Sequence, residues 1–139
     1  MNRSTESLLA TGSNEVPARI LKQEDILIGT IHAALPDADI LRFQTELADS
    51  VGKHRSRAVI VDVSGLDVID SFTARTLQDI TRTVRLKGAE AVVVGIQPAV
   101  AFAMVQLGLF LPEVRTALDL DDGLEVIRYE LVDRSARVG

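Results

Sequence analysis

Apolar residues recur along this chain with two different periods, and the switches between them mark out its elements. Ala18 to Gln23 and Ile26 to Ile31 read as two strands around a polar turn, Lys22 to Asp25. Leu35-Pro36-Asp37 opens a helix whose apolar positions Ile40, Phe43, Leu47 and Val51 keep helical spacing, and Gly52 marks its stop. Ala58 to Val63 is short, β-branched and almost wholly apolar, the pattern of a strand covered on both faces. A second helix begins at Asp70-Ser71 with Leu77, Ile80 and Val84 on one side. Arg75, Gln78, Asp79, Arg82 and Arg85 decorate the other side, and Gly88 closes the helix. Ala91 to Ile96 repeats the buried-strand pattern, and a third helix runs from Pro98 to Leu107, where Pro98 suits a first turn that needs no N–H. Ala117 to Leu120 is expected as the last strand, before a helix carrying Leu124, Ile127 and Leu131 on one side.

Strands that alternate with helices of this length imply a mostly parallel sheet under helical cover. The opening pair is joined by a short turn, so one edge is antiparallel. The expected architecture is one α/β domain over residues 16–132, with a mixed sheet of about five strands and about four helices. Residues 1–15 and 133–139 are expected to be polar, flexible tails.

Composition narrows the function. The 139 residues carry 15 basic and 20 acidic side chains, a net charge of −5 that suits solubility and disfavours phosphate backbones. There is no cysteine or tryptophan, which excludes thiolate chemistry and leaves only Tyr129 and four Phe for stacking on bases. The N-terminus lacks the apolar run of a signal peptide. The stretch Ala91 to Leu111 is long enough to span a membrane, but Gln97, Pro98 and Gln106 interrupt it, and a strand followed by a core helix explains it better. A soluble, cytoplasmic protein with no membrane or nucleic-acid partner is expected.

Few residues offer chemistry. His32 and His54 lack ligand-like spacing, and no nucleophile elbow or glycine-rich phosphate loop is present, so no metal or cofactor is expected. Asp62 ends a central strand, where it either orders the following turn or serves as an acceptor. A small enzyme could use Asp62, Asp70 and Ser71, with His54 supplied by folding. Asp70-Ser71 at a helix start is an N-cap, a phosphorylation site, or both, because a helix N-terminus caps and also stabilises added anionic charge. The third helix, Ala99 to Leu107, is apolar nearly all round, which favours cover by a partner protein through Val100 and Phe102.

The run from Val61 to Arg75, VDVSGLDVIDSFTAR, resembles the signature of STAS domains, the fold of anti-anti-sigma factors; Gly95 to Ala101 and Thr116 to Leu120 add further matches. Within that family the chain is most similar to the RsbS type, a stressosome scaffold that antagonises a switch kinase. Simple anti-anti-sigma factors usually follow the serine with Gly-Leu. Phe72-Thr73-Ala74-Arg75 departs from that pattern, which argues against the alternative of an anti-anti-sigma factor binding an anti-sigma kinase directly. The resemblance implies a non-catalytic scaffold in stress signalling, phosphorylated at Ser71 and less readily at Thr73. Its implied partners are RsbR-type STAS proteins, an RsbT-type kinase and an RsbX-type phosphatase, in homo- and hetero-oligomers. Asp67, Asp70, Phe72 and Arg75 are the expected partner contacts around the serine; a solvated Arg75–Asp79 pair is the plainer reading of that helix face.

Overall fold

The computed structural model describes residues 6–8, 18–108 and 114–138. Its elements, in chain order, are β1 (Glu6–Leu8), β2 (Ala18–Gln23), β3 (Ile26–Ile31), α1 (Asp37–His54), β4 (Ala58–Asp62), α2 (Ser71–Leu86), β5 (Glu90–Val94), α3 (Pro98–Gln106), β6 (Arg115–Ala117) and α4 (Leu120–Val138). The strands lie in sequence order across one sheet. β1, β2 and β3 pair antiparallel, and β3 through β6 pair parallel. The five expected strands and four helices are present, and β1 adds a short sixth strand at the edge.

Alternation within the central strands assigns the two faces. Val59, Val61 and Val63 point with Ala91 and Val93 into one core, where Ile40, Phe43 and Leu47 of α1 meet Leu77, Ile80 and Val84 of α2. Ala58, Ile60, Val92 and Val94 point the other way, onto Ile127 of α4, with Leu124 and Leu131 packed alongside. Because successive parallel strands advance in one direction, right-handed crossovers place α1 and α2 on the same face. The opposite face is left for α4.

Four expectations are corrected. Glu6–Leu8 falls within the segment expected as tail 1–15 but pairs with Arg19 to Leu21 of β2; three residues are too few to show a period. The rest of that segment lies outside the described residues. At the other end, α4 runs through the expected tail 133–139 as far as Val138, because that stretch lacks a glycine or proline to stop it before Gly139. Gly52 does not end α1. Arg55 does so, in the left-handed region at φ 51°, where its N–H donates to the Gly52 carbonyl and Ser56 N–H reaches the Val51 carbonyl at 3.1 Å. The last strand is Arg115–Ala117 rather than Ala117–Leu120, since an edge strand need not be apolar. Asp119 instead caps α4, its carboxylate accepting from Asp122 N–H at 2.9 Å. Among the described residues no helix is long and apolar enough to cross a membrane.

Gly29 in β3 lies directly beneath the Phe43 ring: a Cβ there would approach Phe43 Cζ to 2.7 Å. Gly29→Ala is therefore expected to destabilise the domain by about 1–3 kcal/mol, as overpacking does. Urea unfolding checks this, and unchanged stability would mean that the ring re-orients freely.

Candidate functional site

At the C-terminal end of β4 the chain makes a tight turn instead of entering the next helix. Val63 N–H still donates to the Val94 carbonyl at 3.0 Å, and Leu66 N–H then returns to the Val63 carbonyl at 2.9 Å. Asp62 plays the turn-ordering part: its carboxylate accepts from Ser64 N–H at 2.9 Å. Gly65 passes so close to the end of β3 that a Cβ would lie 2.4 Å from the His32 carbonyl oxygen. Leu66 then buries itself in the core, and Ile69 packs half-buried against it. Between and after these anchors Asp67, Val68, Asp70, Ser71 and Phe72 are exposed.

Asp70 is the N-cap of α2. Its Oδ1 accepts from Thr73 N–H at 2.7 Å, and its backbone is extended (φ −105°, ψ 173°). Hydrogen bonds from the Thr73 backbone N–H, and then from the Thr73 side chain, hold the Asp70 carboxyl below the ordinary range. Ser71 is therefore the first helical residue, solvent-exposed, with the N–H groups of Ser71 and Phe72 left over by the helix ladder. The cap and the candidate phosphosite are compatible. Thr73 is half-buried and its hydroxyl turns toward Asp70. A shallow cleft of about 160 Å³ opens beside the cap, bordered by Leu35, Leu66, Val68, Ile69, Asp70 and Thr73.

A second loop is tied to this one, and sequence reasoning gave it no part in the site. Gln97 Nε2 donates to the Ser64 carbonyl at 2.6 Å. Gly95, at φ +79°, leaves only 2.8 Å between a would-be Cβ and Ser64 Cβ. The available signal was Gln97 itself: a residue directly before Pro98 at a helix start is normally a capping side chain, and glutamine is a poor one. Its amide is used across the loops instead.

The remaining candidates divide. Arg75 is exposed on α2 one turn beyond Ser71, and Asp79 is exposed one turn further on. On α3, Phe102 is 70% exposed whereas Val100 is 1% exposed, so Val100 is a core residue and not a partner contact. The large apolar residues exposed on α3 are Phe102 and Val105, and Leu107, which caps its C-terminal end, is exposed as well. The constellation of Asp62, Asp70, Ser71 and His54 is not assembled. His54 ends α1 beside the start of β4, while Ser71 follows the end of β4, roughly 16 Å away along five strand residues.

The STAS domain model matches residues 18–123, from β2 into the first turn of α4. The chain belongs to the STAS domain family. Among STAS proteins it is 30% identical over 131 residues to the RsbT co-antagonist protein RsbRA of Bacillus subtilis, a match covering 94% of this chain and 47% of that protein. It is 26% identical over 94 residues to RsbRD of the same organism, covering 34% of its length. The chain thus spans less than half of either co-antagonist. Among solved STAS structures, an RsbS of Moorella thermoacetica carrying a serine-to-glutamate change superposes with a TM-score of 0.71 at 33% identity, over 81% of this chain and 95% of that one. A chain from the molecular architecture of the stressosome gives 0.66 at 32%, over 81% and 97%.

Because the native Asp70 carboxyl is more acidic than in the unfolded chain, its contribution is complete above the unfolded value and is lost as pH falls through the native one. Asp70→Ala is expected to lose about 1 kcal/mol at neutral pH, the usual worth of an N-cap. The gap between wild type and variant should narrow steadily below about pH 4. Denaturant titrations at several pH values check both the size and the sign.

Proposed function

We infer that this STAS protein is a non-catalytic scaffold of a cytoplasmic, stressosome-type assembly, switched by phosphorylation of Ser71. One observation carries the reading: the exposed hydroxyl of Ser71 stands at the first position of α2, directly after a capping aspartate, in a chain alike over its folded length to RsbS. The unphosphorylated protein holds an RsbT-type kinase within a complex shared with RsbR-type STAS proteins. Phosphorylation releases the kinase, and an RsbX-type phosphatase resets the site. The names of the relatives, RsbT co-antagonists and a stressosome chain, support this assignment of partners.

The physics of release is local. A phosphate adds roughly 1.5 to 2 negative charges beside Asp67 and Asp70. The dipole and unused N–H groups of α2 accommodate that charge, so the domain stays folded. A partner packed on Val68 and Phe72 meets the same charge together with a desolvation penalty. Losing about 3 kcal/mol there weakens docking by roughly a hundredfold. The switch acts on docking and leaves the fold alone.

Intact mass after incubation with ATP and a switch kinase from the same source tests the site. One phosphate is expected on wild type and on Thr73→Ala, and none on Ser71→Ala. The phosphorylated protein should keep its circular dichroism and unfold within a few degrees of the unmodified form. No phosphate with a kinase shown to be active would overturn the switch. Phosphate on Ser71 together with tight binding to an anti-sigma kinase would instead favour a simple anti-anti-sigma factor.

A further inference from the structure

Ser71 and Arg75 stand one helical turn apart at the start of α2. Residues at this spacing share one side of a helix, with their Cβ atoms about 5–6 Å apart. Both are exposed. Among the described residues the Arg75 guanidinium has neither a hydrogen bond nor an ion pair, so the pair with Asp79 is not formed. The order of those two is the weaker one on a helix, where an acid four residues before the cation is better than one four residues after it. An anion at Ser71 would supply the better order, at the helix end that itself favours negative charge. No other cation of α2 can reach it. Arg82 and Arg85 lie about 16 Å and about 21 Å further along the axis. On the other side of Ser71 are Asp67 and Asp70, and the Asp70 carboxylate is taken up as the cap.

We propose that Arg75 is the intramolecular receptor of a phosphate carried on Ser71, its guanidinium pairing with the phosphate oxygens across one turn of α2. This rests on the reading of Ser71 as the phosphorylated residue. A guanidinium suits a phosphate in shape as well as charge, because its N–H groups can make parallel hydrogen bonds to two oxygens. The pairing matches part of the added charge within the helix itself. It also withdraws from the docking face a cation that unmodified Ser71 leaves free.

Phosphoserine installed at position 71 of the full chain during its synthesis tests the pairing without any kinase. Phosphorus NMR then follows the second ionisation of the phosphate, ordinarily at about pH 6. Arg75→Ala is expected to raise that midpoint by about 0.3 pH, about a twofold change in proton affinity, as an exposed pair allows. Lys87→Ala, which removes the same charge about 24 Å along the helix, should leave the midpoint unchanged. Arg75→Lys should keep most of the effect. Asp67, Asp70, Asp37 at the start of α1, His32 after β3 and the unused N–H groups of α2 are common to every variant, so the comparison isolates Arg75. In nitrogen-15 spectra the Arg75 Nε–H signal should move through the phosphate titration, and stay still over the same range when Ser71 is unmodified. Circular dichroism confirms that each variant is folded. A midpoint that is the same with Arg75 and with alanine, or an Arg75 signal indifferent to the phosphate, would each overturn the pairing. A switch kinase that leaves Ser71 unmodified would overturn the switch and not these spectra, so the two readings fail separately.

Discussion

Burial of β4 on both faces is the constraint on which the rest of the molecule depends. Five residues, Ala58 to Asp62, place side chains alternately under α1 and α2 on one side and under α4 on the other. Such a strand cannot shift by one residue without exchanging its two faces. Its C-terminal end is fixed in space as a result, and the loop that follows inherits that precision. Ser71 owes its position less to α2 than to the strand behind it.

The loop between them is an exposed segment held at a few points. Asp62 orders its first residues, Gly65 allows contact with the end of β3, Leu66 anchors it in the core and Asp70 ends it at the helix cap. Gln97 braces it from the β5–α3 loop. What remains outside those anchors is a small surface of mixed character, acidic at Asp67 and Asp70 and apolar at Val68 and Phe72. In the proposed switch, the same few side chains would supply both the contact and the charge environment of one added phosphate. None of these anchors uses the Ser71 side chain.

Large apolar residues stay exposed on every helix: Leu41 on α1, Phe72 and Leu86 on α2, Phe102 and Val105 on α3, and Tyr129 and Val132 on α4. Those on α4 belong to the helix that covers the sheet face opposite α2.

The sequence alone determined the elements whose evidence is local and repeated: the β-branched strands around Val61 and Val93, the apolar stripes of α1 and α2, and the Asp70 cap with Ser71 behind it. The STAS resemblance was legible because its motif is one contiguous run. Tertiary structure decided what a one-dimensional pattern cannot encode. Val100 and Phe102 look alike in an all-apolar helix, and only packing buried one and exposed the other. β6 was misplaced because an edge strand is held by backbone pairing with Val92 to Val94, which leaves no hydrophobic period. The rival enzyme reading needed folding to bring His54 to Asp62, Asp70 and Ser71, and folding instead put His54 at the opposite end of β4. Gln97 joined the site through a contact with Ser64, 33 residues away. Sequence patterns report which face a residue turns to its own element; which distant residue meets it there is set by the folded sheet.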